Sequence, residues 1–290
     1  MFQGVLTALV TPFRDDAVDE RALHELVEFQ IEAGVDGLVP CGSTGESATL
    51  THAEHRRVVE VVVAAARGRA PVVAGTGSNS TREAIALTRH AKEAGADGAL
   101  LISPYYNKPT QAGIVAHYAA IARETGFPLI VYNIPGRTAS NILPETLAQL
   151  ADIEQVVGVK EACGDLAQIS HAVARCPEEF AVLSGDDVFA LPVLSVGGVG
   201  VISTSSNVAP AEIVEMVRAF RAGDLERARD LHQRLLPLFD ALFVETNPIP
   251  VKAALALRGQ VGEEIRLPLL PLTEPNRERL RVVMKELGLL

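Results

Sequence analysis

Eight short, apolar, β-branched runs, separated by longer amphipathic stretches at intervals of roughly 20–35 residues, organise most of this 290-residue chain. The runs are Val5–Val10, Gly37–Pro40, Pro71–Ala74, Ala99–Ser103, Pro128–Tyr132, Val156–Val159, Phe180–Leu183 and Val199–Ser203. A strand apolar without alternation has both faces buried, the signature of a parallel sheet covered by helices. The stretches between read as those helices: Leu23, Leu26, Val27 and Ile31 line one face, and Ile85, Leu87 and Ala91 another. One segment recurs, Glu32-Ala33-Gly34-Val35-Asp36-Gly37-Leu38 and Glu93-Ala94-Gly95-Ala96-Asp97-Gly98-Ala99, in which a glycine ends a helix before the next strand.

Eight βα units in about 220 residues predict an α/β fold of the (β/α)8 TIM barrel type, usually about 250 residues. After Ala222-Gly223-Asp224 the strand signal stops, and Leu225–Phe243, Val251–Leu257 and Glu274–Leu287 read as helices. The expected division is a catalytic barrel over residues 1–223 and a C-terminal helical appendage over 224–290. The chain is 48% hydrophobic, which excludes disorder, and its formal charge of -10 argues against nucleic acid or an anionic membrane as partner. Three cysteines, Cys41, Cys163 and Cys176, have no metal-ligand spacing and read as small buried hydrophobes; their odd number fits a reducing compartment. The segment Met1 to Phe13 lacks a basic targeting region, so the cytoplasm is the expected location.

In such a barrel, functional residues sit at the C-terminal ends of the strands. Lys160 directly follows Val156-Val157-Gly158-Val159, where desolvation would lower its pKa toward a neutral, nucleophilic amine. Position alone favours a strand-end lysine whose stem reaches water; the setting of the other lysines tips the reading back. The other four lysines, Lys92, Lys108, Lys252 and Lys285, lie in polar, loop, helix-start or terminal settings. Tyr132 closes the preceding strand, and if both side chains point inward the phenol can shuttle protons beside an imine on Lys160; otherwise it is a core tyrosine with a backbone partner. The Gly42-Ser43-Thr44-Gly45 turn could cradle a carboxylate or be a plain strand-to-helix turn. Gly75-Thr76-Gly77-Ser78-Asn79-Ser80 lacks the third glycine of a dinucleotide loop, and Thr51 with Glu54 reads as a capping box rather than part of a zinc helix.

Taken together, Gly42-Ser43-Thr44-Gly45-Glu46-Ser47, Ser103-Pro104-Tyr105-Tyr106-Asn107, Tyr132-Asn133-Ile134-Pro135-Gly136-Arg137-Thr138, Gly158-Val159-Lys160-Glu161 and Asn247-Pro248-Ile249-Pro250-Val251-Lys252 resemble the dihydrodipicolinate synthase family of pyruvate-dependent Schiff-base aldolases. The similarity runs from Phe2 to Leu290. It implies 4-hydroxy-tetrahydrodipicolinate synthesis for lysine and diaminopimelate: Lys160 forms an imine with pyruvate, and the derived enamine adds to L-aspartate 4-semialdehyde. It further implies that Tyr132, Ser43 and Tyr106 form a proton relay, with Tyr106 given by a neighbouring subunit of a homotetramer arranged as a dimer of dimers. Thr44 and the Ile202 backbone would hold pyruvate, and Arg137 the semialdehyde carboxylate. The lysine is the electron sink, so no metal or organic cofactor is expected.

The family usually carries threonine where this chain has Ser43, which keeps the hydroxyl and loses the methyl that fixes its rotamer. Serine there also occurs in N-acetylneuraminate lyases, so that activity, or a 2-keto-3-deoxy sugar acid aldolase, is the rival reading; Arg137 speaks against it. A catalytically silent barrel that binds a small acid is the third. The resemblance also implies feedback inhibition by L-lysine, at Ser47, Ala48, Leu50, His52, His55, Asn79, Glu83 and Tyr105.

Overall fold

The computed structural model describes residues 2–290, so Met1, the first residue of the expected barrel segment, lies outside the described residues. Eight parallel strands, β1 Gly4–Ala8, β2 Gly37–Val39, β3 Val73–Gly75, β4 Gly98–Ile102, β5 Leu129–Asn133, β6 Val156–Glu161, β7 Ala181–Ser184 and β8 Gly200–Ser203, pair in the order β2-β1-β8-β7-β6-β5-β4-β3. A bridge between Leu38 and Val72 brings the free edges of β2 and β3 together, and Gly75 N donates to Pro40 O at 2.8 Å. Closure leaves no row of unpaired strand groups.

The expected runs and the observed strands agree to within a few residues. The difference that matters is at β5 and β6, which continue one and two residues past their apolar runs to include Asn133 and Glu161. These polar ends pair across the two strands, and that pairing extends the ladder where hydrophobicity has ceased. The register slips by one residue between Leu129 and Ile130, after which Ile130 faces Gly158 and Tyr132 faces Lys160. Such a bulge re-aims every side chain beyond it.

Apolar side chains fill the barrel in layers. Leu6, Ala8, Val39, Val73, Leu100, Ile130, Leu183 and Ile202 form a buried inner cluster, with Tyr132 at its upper edge. The opposite strand faces pack on the helices α1 Glu20–Glu32, α2 His52–Ala66, α3 Thr81–Glu93, α4 Gln111–Thr125, α5 Pro144–Ala151, α6 Leu166–Arg175, α7 Ala190–Ser195 and α8 Pro210–Arg221. Alternation along each strand thus divides one apolar sequence run between two cores. Gly34 and Gly95, in the repeated segment, have φ of 83° and 90°, the left-handed turn that ends α1 and α3. The capping box is present: Thr51 accepts from Glu54 N while the Glu54 carboxylate accepts from Thr51 N, worth about 1 kcal/mol.

Three further helices, α9 Leu225–Ala241, α10 Ile249–Leu257 and α11 Glu274–Glu286, share the outer core through Leu231, Leu238, Val251, Leu255, Leu280 and Met284. Helix α10 starts two residues before the expected Val251, with Pro250 in its first turn, where a missing N–H is tolerated. Of the cysteines, Cys41 is buried as expected, whereas Cys163 and Cys176 are only half-buried because they lie in the loops flanking α6; none forms a disulfide. No helix among the described residues is long and apolar enough to cross a membrane.

Candidate active site

Lys160 and Tyr132 are directly opposite in β6 and β5, and the Lys160 Nζ lies 4.3 Å from the centroid of the Tyr132 ring. Both side chains are buried at the upper end of the barrel interior. Burial strips water from the amine and lowers the Lys160 pKa to about 8, opposed by the carboxylate of Asp187 and assisted by the guanidinium of Arg137. Burial also raises the Tyr132 phenol to about 12, while Arg137 and the hydrogen-bonding Ser43 hydroxyl pull it down. The lysine is moved toward its nucleophilic form, and the tyrosine stays a proton donor at neutral pH.

The turn after β2 carries Ser43 and Thr44. Its later amides are used internally: Gly45 N and Ser47 N donate to Gly42 O at 3.0 and 3.3 Å, and Glu46 N to Ser43 O at 3.2 Å. The Ser43 and Thr44 amides have no acceptor among the described residues, which suits them to an anion. Thr44 is buried, and its Oγ1 accepts from Asn247 Nδ2 at 2.9 Å. The same Asn247 accepts from Arg137 Nη2 through its carbonyl at 2.9 Å. A residue from the loop before α10 therefore spans the two groups expected to hold carboxylates. The Asn-Pro-Ile-Pro motif flagged this segment, without assigning Asn247 a role.

A cavity of about 460 Å³ opens over this site, bordered by Ser43, Tyr132, Arg137 and Asn247. Lys160, Thr44 and Ile202 are buried and do not border it. Ile202 lies in β8, in the inner core. Tyr106 stands apart from the others in this chain: it is 89% exposed, with φ of 71°.

The comparison of lysines by sequence setting needs one correction. Lys252 is more completely buried than Lys160, at 1% exposure against 5%. It is invisible in the sequence because its partner, Glu46, is 206 residues away; the two form an ion pair at 2.5 Å, with the amine 4.3 Å from the Phe13 ring centre. What distinguishes Lys160 is that it is buried without an ion-pair partner among the described residues. Asp187, just after β7, is a further residue whose part the sequence does not show. Its Oδ2 accepts from Thr204 N, Ser205 N and Ser205 Oγ at 3.1, 2.8 and 2.7 Å, which keeps a carboxylate within electrostatic reach of Lys160.

The model of the dihydrodipicolinate synthetase family matches residues 1–287, spanning the barrel and most of the C-terminal helices. This chain belongs to that family. A 4-hydroxy-tetrahydrodipicolinate synthase from Nitratidesulfovibrio vulgaris (strain DP4) is 61% identical over 290 residues, covering 100% of this chain and 99% of the relative. Among solved structures, dihydrodipicolinate synthase from Aquifex aeolicus superposes with a TM-score of 0.98 at 49% identity, over 99% of each chain. A dihydrodipicolinate synthase from Cyanidioschyzon merolae, with lysine bound, gives 0.97 at 44% identity, over 100% of this chain and 99% of the other.

For a member of the dihydrodipicolinate synthetase family, the second group of interest is the expected effector cluster. Ser47, Ala48, Leu50, His52, His55, Glu83 and Tyr105 all border the same cavity as Tyr132 and Arg137. Asn79 does not border it, but its Nδ2 donates to Tyr105 O at 3.2 Å. Glu83 bonds to Ser78 and, at 2.8 Å, to His52, and these contacts hold its carboxyl below the usual range. His55 is buried, its Nε2 paired with Gly75 O at 2.8 Å, and desolvation lowers its pKa, favouring the neutral ring.

Proposed function

We propose that the chain acts as a 4-hydroxy-tetrahydrodipicolinate synthase, a Schiff-base-forming lyase of lysine and diaminopimelate biosynthesis. The observation that carries this reading is the buried Lys160 amine, unpaired by a carboxylate among the described residues and stacked on the Tyr132 phenol. The neutral amine adds to the ketone of pyruvate, and loss of water gives the imine. Loss of a methyl proton gives the enamine, whose terminal carbon attacks the aldehyde of L-aspartate 4-semialdehyde. The semialdehyde's own amino group then displaces Lys160 as the ring closes. Tyr132 carries the protons, with Ser43 as its neighbour in the relay. The free amides of Ser43 and Thr44, with the Ile202 backbone, receive pyruvate; Arg137 receives the second carboxylate.

Tyr106 completes the relay from an adjoining subunit, which its exposure in a single chain supports, and the assembly is a homotetramer. L-lysine occupies the His52, His55 and Glu83 end of the cavity and inhibits; the lysine-bound relative supports this assignment. Three free cysteines fit a cytoplasmic location. The barrel over 1–223 carries the chemistry, and the appendage over 224–290 contributes Asn247. Turnover with L-aspartate 4-semialdehyde against N-acetylmannosamine is the deciding assay. Preference for the semialdehyde is expected; preference for the sugar would move the chain to the N-acetylneuraminate lyase activity.

A further inference from the structure

Behind the Lys160 and Tyr132 pair lies a second pair that the reaction does not use. One residue further along the same strands, Asn133 is directly opposite Glu161. Side chains alternate along a strand, so this pair faces the layer between strands and helices. Both residues are wholly buried. Asn133 Nδ2 donates to the two Glu161 carboxyl oxygens at 2.9 and 3.2 Å, and Glu161 Oε1 also accepts from Cys163 N at 3.0 Å. Glu161 has no cationic partner among the described residues. An unpaired buried carboxyl is costly, and an apolar side chain of similar volume would be cheaper for stability alone.

The network reaches the loop that carries Arg137. Asn133 Nδ2 donates to Asn141 Oδ1 at 2.9 Å, and Asn133 Oδ1 accepts from Ile142 N at 3.0 Å. Asn141 and Gln168 of α6 exchange bonds at 2.8 and 3.1 Å. One hydrogen-bonded cluster, buried at Asn133 and Glu161 and half-buried at Asn141 and Gln168, thus joins the end of β5, the end of β6, the far side of the Arg137 loop and a helix.

Resting on the Lys160 reading above, we infer that Asn133 and Glu161 are positioning residues: they clip the two strand ends so that Lys160 and Tyr132 keep their separation, and they fix the loop bearing Arg137. Neither touches the reacting atoms. A displacement of about 1 Å in such a pair is enough to cost roughly 100-fold in rate.

The test is a double-mutant cycle on the full-length chain, reading folded content, turnover, KM for pyruvate and borohydride-trapped adduct. Asn133→Ala and Glu161→Ala should each lower kcat about 10- to 100-fold while KM for pyruvate moves less than about threefold. The double variant should be no worse than the worse single one, because the clip is already open. Glu161→Gln, whose carbonyl can still accept from Asn133 and Cys163, should recover most of the turnover. Should the alanine variants fail to fold, Glu161→Met, close in volume but unable to clip, replaces them and should show the same loss. Multiplying effects in the double variant, or wild-type turnover in folded Glu161→Met, would overturn the inference. Absence of any pyruvate adduct in the wild-type chain would instead overturn the proposed function.

Discussion

The Lys160 amine rests 4.3 Å from the Tyr132 ring centre because the two residues occupy the same register position in neighbouring strands, just beyond a one-residue slip. Strand pairing places the two side chains side by side, and the close packing of Gly185 against the Lys160 stem holds the amine over the ring. Burial sets the amine's protonation. At a pKa of about 8, roughly a tenth of the amine is neutral at pH 7, against less than one part in a thousand for a free lysine.

That value gives a pH dependence. A lowered amine pKa means the reactive form accumulates as pH rises through about 8 and then saturates. The initial rate of borohydride trapping at low pyruvate should climb from pH 6 to pH 8 and level off near pH 9. A rate still rising nearly tenfold between pH 8 and pH 9 would mean an ordinary lysine.

Lys252 provides an internal control. It is also buried, but Glu46 occupies its amine. Removing one partner of a buried pair strands the other charge, so Lys252→Ala should cost about 3–5 kcal/mol of stability. The protein that remains folded should still trap pyruvate at Lys160. Loss of trapping in folded Lys252→Ala protein, checked by circular dichroism, would give Lys252 a part in the chemistry.

Gly185 borders the lysine stem. A Cβ placed there would lie 3.0 Å from both Cγ and Cε of Lys160 and 2.8 Å from the Ala162 Cβ. Gly185→Ala should therefore push the amine off the Tyr132 face and lower turnover by about 100-fold or more, at a cost of about 1–3 kcal/mol in stability from the crowded Ala162. Undiminished turnover would show that the stem has room to move.

The positions of the strands and the place of Lys160 and Tyr132 at the rim were legible in the sequence because they depend on local pattern. Apolar runs mark strands, and the residue ending each run marks the rim. Partnerships across long separations were not legible. Lys252 with Glu46, and Asn247 with Thr44 and Arg137, are made only when the C-terminal helices fold back over the barrel. Glu161 escaped notice for a different reason: it follows Lys160, and alternation turns it into the wall behind the site.

Glu161 also predicts a stability trend. Burial raises its carboxyl from 4.5 to about 7, so between these values the folded chain binds a proton that the unfolded chain does not. Stability then falls as pH rises through that window, by up to about 3 kcal/mol. Glu161→Gln carries no such proton. Its stability relative to wild type, from urea unfolding at pH 5 and pH 8, should improve at the higher pH; a constant difference would place the Glu161 pKa near its ordinary value.

Of the five lysines, Lys160 is the one proposed to form the imine. Borohydride reduction in the presence of pyruvate, followed by peptide mass spectrometry, reads this directly. One reduced adduct per chain is expected, on the peptide containing Lys160, and none in Lys160→Ala. An adduct on Lys252, or none on a chain that still turns over both substrates, would contradict it.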